Sequence, residues 1–119
     1  MSAPIRSIWR LAEAVACKTG VVTTGNSLDE TEDDRRMIAA SGACVKDMEA
    51  AAVAWIGELL GVPVLAVKAI TDLVDSHVDT VEQFDANLAT ASRRLCEVLV
   101  RVIDWCAPRT VGELAGGRP

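Results

Sequence analysis

An α/β fold with a parallel sheet is predicted by three features of the middle of the chain. Residues 62–70, Val-Pro-Val-Leu-Ala-Val-Lys-Ala-Ile, form a nearly unbroken apolar run, the pattern of a parallel strand buried on both faces. Residues 43–47 form a second, shorter strand-like run. Between them, residues 49–60 read as a helix, with Val53, Ile56, Leu59 and Leu60 on its inner side. Ala50, Ala51, Ala52 and Ala54 permit close approach to a sheet, and Gly61 and Pro63 stop the helix. The order is strand, helix, strand. Each strand runs into an acidic corner, Asp47-Met48-Glu49 and Thr71-Asp72. Ligands of open α/β sheets bind beyond the carboxyl ends of the strands. With the strands as neighbours, Glu49 and Asp72 flank one crevice.

The remaining elements follow in order. Residues 5–17 carry Ile5, Ile8, Trp9, Leu11, Ala12 and Val15 at the spacing of a helix that packs one face. Residues 19–24 are short, β-branched and bounded by Gly20 and Gly25, so a strand is expected, with a turn over residues 25–29. A helix is expected over residues 30–41. Asp29, Glu32, Asp33 and Asp34 crowd its start, where the helix dipole favours negative charge, and Gly42 sits at the left-handed cap position. Lys68, Ile70 and Asp72 share one face of the expected 62–70 strand and its end. Residues 73–79 form a loop carrying the lone histidine, His77, read as solvated. Thr80 caps a long helix with Glu82 and Gln83 in its first turn. Its core-facing stripe is Val81, Phe84, Leu88, Ala91, Leu95, Leu99, Val102 and Cys106, and its length is about 39 Å. Pro108 ends it, and residues 110–119, with Gly112, Gly116 and Gly117, are expected to fray.

Composition excludes several classes. With 119 residues there is one domain at most, and half of the residues are apolar, which disfavours disorder. The net charge is −5 and lysines and arginines do not cluster, which argues against nucleic-acid binding. No apolar run reaches the roughly 20 residues that span a bilayer. The first residues lack the apolar core of a signal peptide, so the cytoplasm is the expected compartment. Cys17, Cys44, Cys96 and Cys106 show no close pairing. They are read as reduced, mostly buried thiols, and no zinc site is expected.

The two corners carry the candidate chemistry. Glu49 reads either as a helix-dipole carboxylate or as an acceptor for hydroxyls. A carboxylate offers about four lone-pair sites and can take two vicinal hydroxyls, as on a ribose 2′,3′-diol. Asp72 reads either as a cap or turn residue or as a general acid. The second role requires a raised pKa, which burial beside Ile70, Leu73 and Val74 would favour. Asp75 reads as a loop-side partner.

Taken together, Lys46-Asp47-Met48-Glu49-Ala50-Ala51-Ala52-Val53-Ala54, Val62-Pro63, Lys68-Ala69-Ile70-Thr71-Asp72-Leu73-Val74-Asp75 and Glu82-Gln83-Phe84 resemble the C-terminal part of 5′-methylthioadenosine/S-adenosylhomocysteine nucleosidases, the plant type above all. Thr24-Gly25-Asn26-Ser27-Leu28-Asp29 also fits. The paired Met-Glu and Thr/Ser-Asp motifs belong to the wider purine nucleoside phosphorylase superfamily. The resemblance implies a partial nucleoside phosphorylase-like three-layer fold, a central sheet flanked by helices. It divides the chain into residues 1–17, unmatched, residues 18–107, the C-terminal part of the domain, and a flexible tail at 108–119.

The resemblance also implies roles. Asp72 is the acid that protonates adenine N7 as the N-glycosidic bond breaks. Glu49 grips the ribose hydroxyls and stabilises the oxocarbenium-like ring, and Met48 is the floor beneath the sugar. Leu28 packs on the adenine, the backbone of Asp29 bonds the base edge, and Thr71 orients Asp72. Val81 lies where a larger residue often borders the 5′-alkylthio pocket. No metal or organic cofactor is implied, and the partners are a small nucleoside and a second copy in a homo-oligomer, a dimer.

Members of the family are roughly twice this length, and the half absent here supplies several strands and the glutamate that activates water. By residue type alone, Glu13 and Glu30 are candidates for that task. Four readings follow: a hydrolase releasing adenine and a thio-ribose, a non-catalytic nucleoside-binding fragment, a truncated product without function of its own, and a phosphate-dependent phosphorylase. In each of them an uncovered strand edge and apolar face are expected to drive association.

Overall fold

The computed structural model describes residues 6–27, 30–73 and 77–115. In chain order its elements are α1 (Arg6–Val15), β1 (Val22–Thr24), α2 (Glu32–Ser41), β2 (Val45–Asp47), α3 (Ala50–Leu60), α4 (Thr80–Cys106) and α5 (Val111–Leu114). They fall into two compact units: Lys18–Ala66, and Met1–Cys17 with Val67–Pro119.

In the 18–66 unit, β1 and β2 pair in parallel, with Val22 opposite Val45, Thr23 opposite Lys46 and Thr24 opposite Asp47. The crossover is α2. Thr31 is its N-cap: the Asp34 amide donates to the Thr31 hydroxyl at 3.1 Å, and the Thr31 amide donates to the Asp34 carboxylate at 2.8 Å. This reciprocal pairing satisfies two amides that a helix start leaves without partners. Gly42, at φ 70°, closes the other end.

Helix α3 ends in the same way at Gly61, φ 65°, with the Val62 amide donating back to the Gly57 carbonyl at 2.8 Å. The packed side of α3 differs from the expected one. Its buried residue is Gly57, where a Cβ would collide with Val64 Cγ2 and lie 2.9 Å from the Val62 carbonyl oxygen. Val53, Ile56, Leu59 and Leu60, expected inside, are exposed, Leu60 to 71%. A helix apolar nearly all round has two faces able to pack; the returning chain at 62–64 selects the glycine face.

The expected strand at residues 62–70 is not formed. Among the described residues the only sheet is β1–β2. Apolar, β-branched composition supplies strand propensity, but a strand exists only where a neighbour completes the ladder.

In the other unit, α1 packs on α4 and buries Leu11, Ala12 and Val15. Arg101 Nη2 of α4 donates to the Ala14 carbonyl at 3.1 Å. Helix α1 stops in a left-handed turn: the Cys17 amide donates to the Ala12 carbonyl at 2.8 Å and the Ala16 amide to Glu13 at 3.3 Å. Ala16 takes φ 55°, the position usually held by glycine.

Helix α4 has 27 residues, about 40 Å. Its N-cap is Asp79, not Thr80: Asp79 Oδ1 accepts the amides of Val81 at 2.9 Å and Glu82 at 3.4 Å. Of the expected stripe, Ala91, Leu95, Val102 and Cys106 are half-buried, whereas Val81, Phe84, Leu88 and Leu99 are exposed. The ten residues of α1 span about 15 Å, so α1 reaches less than half of α4.

Within residues 110–119, read as a tail, Val111–Leu114 form the short helix α5. Arg109 stacks over Trp105 at 3.7 Å. Thr110 and Glu113 form a second reciprocal cap, and the Ser7 hydroxyl donates to the Leu114 carbonyl, joining α5 to α1. All four cysteines are free thiols, but Cys17, Cys44 and Cys96 are exposed, not buried as expected. Among the described residues no helix is long and apolar enough to cross a membrane.

Replacing Ala16 by glycine is expected to raise unfolding stability by about 1 kcal/mol, because an L-residue pays a steric penalty in the left-handed region; urea denaturation checks this. The Thr31 amide and hydroxyl hold the Asp34 carboxyl below its usual range. A lowered native value means that the cap's contribution is complete above the ordinary carboxylate range and is lost as pH falls through the native value. The protection of the α2 amides, taken as exchange relative to the unstructured-chain rate at the same pH, is therefore expected to fall on acidification, and Thr31→Ala to lower it at neutral pH and flatten that dependence.

Candidate active site

The first acidic corner is built where the two strands end. In-register pairing sets Thr24 beside Asp47, and the Thr24 hydroxyl donates to Asp47 Oδ1 at 2.7 Å. The same hydroxyl oxygen accepts the Ala51 amide at 3.0 Å. Asp47 Oδ1 and Oδ2 accept the Ala50 amide at 3.2 and 3.1 Å. The start of α3 is thus satisfied by Asp47 and Thr24. Glu49 occupies the N-cap position, at φ −131° and ψ −30°, but its side chain makes no capping bond. Its carboxylate accepts the Met48 amide at 3.3 Å and is exposed beside an exposed Met48. The structural role open to Glu49 is performed two residues earlier, and its acceptor capacity faces outward.

Glu30 is not placed as a base toward solvent. Its side chain is 9% exposed and lies 3.8 Å from Arg35 Nε and 4.0 Å from Lys46 Nζ, in an ion-pair cluster under the β2 strand. Glu13 lies exposed on α1, in the other unit. Leu28 and Asp29, expected against the base, lie outside the described residues, as do Val74 and Asp75.

The second corner belongs to the 67–119 part. Asp72 is half-buried, and the Thr71 hydroxyl donates to its Oδ1 at 2.6 Å. The backbone on either side is held from α4. Asn87 Nδ2 donates to the Thr71 carbonyl at 2.8 Å. Gln83 Oε1 accepts the Leu73 amide at 3.2 Å, and Gln83 Nε2 donates to the Val78 carbonyl at 2.8 Å. The cap of α4 is Asp79, so Asp72 is not used as a cap. Asn87 was not singled out in the sequence, and Gln83 was noted only for its place in the first turn. Two amide side chains at i and i+4 on one helix face were the available signal.

An open apolar cleft of about 310 Å³ lies between residues 67–70 and α4, lined by Val67, Ile70, Asn87, Arg94 and Leu95 among others. Asp72 does not line it, so the larger concavity and the acidic corner are different places.

The sequence profile of the phosphorylase superfamily matches residues 8–104. The chain belongs to this superfamily. This phosphorylase-superfamily chain is 38% identical to the 5′-methylthioadenosine/S-adenosylhomocysteine nucleosidase of Arabidopsis thaliana over 104 residues, 87% of this chain and 41% of that protein. It is 39% identical to a 5′-methylthioadenosine nucleosidase of the same plant, covering 39% of it. Two solved structures are similar in fold, the apo form of the Arabidopsis thaliana 5′-methylthioadenosine nucleosidase and an MTA/SAH nucleosidase. Each gives a TM-score of 0.84 at 34% identity, over 96% of this chain and 51% of the other. The superfamily member spans about two-fifths of the length of the curated relatives it matches. The α/β class, with a parallel sheet and a long C-terminal helix, is that of these nucleosidases.

Thr24→Val keeps the shape of the side chain but removes both the donor to Asp47 and the acceptor for the Ala51 amide. It is expected to lower unfolding stability by about 1–3 kcal/mol, measured by urea titration, with the loss of amide protection concentrated at Ala50 and Ala51.

Proposed function

We propose that this chain carries the purine-side acid and the ribose clamp of a nucleosidase that hydrolyses the N-glycosidic bond of 5′-methylthioadenosine or S-adenosylhomocysteine. The observation that carries the reading is that neither corner carboxylate makes a helix-capping bond: Asp47 and Thr24 take the first amides of α3 beside Glu49, and Asp79 takes those of α4, leaving Asp72 with the Thr71 hydroxyl. Carboxylates without a capping task keep their lone pairs for a ligand. The nucleosidase names of the plant relatives support the substrate class.

In this reading Asp72 gives its proton to adenine N7 while the bond from N9 to ribose C1′ breaks and its electron pair leaves with the base. Adenine departs neutral, and the ribosyl ring becomes electron-poor. The Thr71 hydroxyl points Asp72 in one direction, so the proton is offered along a defined line. Glu49 accepts the 2′- and 3′-hydroxyls, and its charge stabilises the ring as it becomes positive. Met48 lies beneath the sugar, and Leu28 and Asp29 meet the adenine. Water then adds at C1′, giving a thio-ribose, and its proton passes to a base that is neither Glu30 nor Glu49. The products suit methionine salvage in the cytoplasm. The exposed Trp55, Ile56, Leu59 and Leu60 of α3 suit a homodimer.

Adenine release from 5′-methylthioadenosine, with and without phosphate, tests this. Phosphate-independent release is expected, lost by more than about 100-fold in Asp72→Asn with nucleoside binding kept within a few-fold. Glu49→Gln is expected to weaken binding of ribosides while leaving free adenine unaffected. Phosphate-dependent release would reassign the chain as a phosphorylase. Thermal stabilisation by the nucleoside without release would mean that it binds and does not cleave.

A further inference from the structure

The described part of the Asp72 loop is held to α4 by two side chains, and that arrangement carries an assignment. Asn87 takes the carbonyl before Asp72 and Gln83 takes the amide after it, so the peptide groups flanking the acid are pinned by amides one helical turn apart. Gln83 also donates to the Val78 carbonyl at 2.8 Å, so one side chain ties both ends of the 73–78 connection to the first turns of α4. The nearby apolar residues Phe84 and Leu88 are exposed. The hydrogen bonds thus tie the backbone beside Asp72 directly to this end of α4. Thr71 then fixes the carboxylate relative to a backbone that is already fixed.

We propose that Gln83 and Asn87 are positioning residues for the acid: they set the height and direction of the Asp72 carboxylate by clamping the backbone on either side of it. The assignment rests on the reading of Asp72 as the proton donor. Neither amide touches the substrate. A misplacement of about 1 Å in a group that must meet one nitrogen atom costs up to about 100-fold in rate, so the clamp acts on turnover more than on binding.

The test uses Asn87→Leu, Gln83→Met and the more conservative Gln83→Glu, which keeps an acceptor for the Leu73 amide. Adenine release from 5′-methylthioadenosine is followed as kcat and KM, and exchange of the Leu73 amide is followed by NMR. Asn87→Leu and Gln83→Met are expected to lower kcat by about 10- to 100-fold with KM within about threefold. Gln83→Met is expected to speed Leu73 exchange, and Gln83→Glu to restore Leu73 protection and part of kcat. The double variant is expected to be little worse than either single one, because the two act on one backbone segment. If both single variants keep kcat within twofold while Asp72→Asn is inactive, the clamp is overturned and the functional reading stands. If Asp72→Asn turns over as fast as the unsubstituted chain, or the unsubstituted chain releases no adenine, the functional reading fails and the assignment to catalysis falls with it.

Discussion

The Asp47 carboxylate is the contact on which the 18–66 unit depends. It receives the Thr24 hydroxyl from the neighbouring strand and the Ala50 amide from the helix that follows. The Gly25 amide binds the Asp47 carbonyl at 2.9 Å, extending the ladder by one step past the last paired residues. One residue thus joins the end of each strand to the start of α3. A sheet of two three-residue strands has little stability of its own, so the register of β1 on β2 is secured by this junction. Glu49 stands between the capping residue and the first helical residue, so its placement is inherited from Asp47.

The Asp72 corner solves the same problem in a different way. No strand pairing holds residues 62–70, so the backbone at Thr71–Leu73 has no ladder to fix it. Amide side chains from α4 supply the missing partners, and the Thr71 hydroxyl supplies orientation. At the first corner the group that would do chemistry is relieved of a structural task by a neighbour of similar type, Asp47 for Glu49. A carboxylate engaged with the amides of a helix start has fewer lone pairs to offer a ligand.

Apolar surface is distributed unusually. Among the described residues only Leu11, Ala12 and Val15 are buried apolar side chains, while Trp55, Leu60, Ile103 and Val111 are more than half exposed. At roughly 25 cal/mol per Å² of apolar surface removed from water, so small a buried set contributes little. Reciprocal caps at Thr31–Asp34 and Thr110–Glu113 and the Arg101–Ala14 bond have more weight here than they would beside a large core. The exposed face of α3 is where further burial is available.

Local chemistry was legible from residue order. The helix of residues 30–41, its acidic start and its Gly42 end follow from dipole, capping and φ preferences that act within one turn. The same holds for the end of α3 at Gly61, for the long helix through Cys106, and for the Asp47–Glu49 corner as the place where α3 begins. Matters that depend on a partner distant in sequence were decided only in three dimensions. A strand needs a ladder neighbour, so residues 62–70 formed no strand despite their composition. The buried face of α3 was chosen by Val64 and the Val62 carbonyl, and α5 is joined to α1 by Ser7, 107 residues away from Leu114. Which carboxylate caps a helix and which is left for a ligand was likewise set by Thr24, 23 residues before Asp47. Sequence spacing determines which groups can reach a helix end. Only the fold determines which of them arrives with the right geometry.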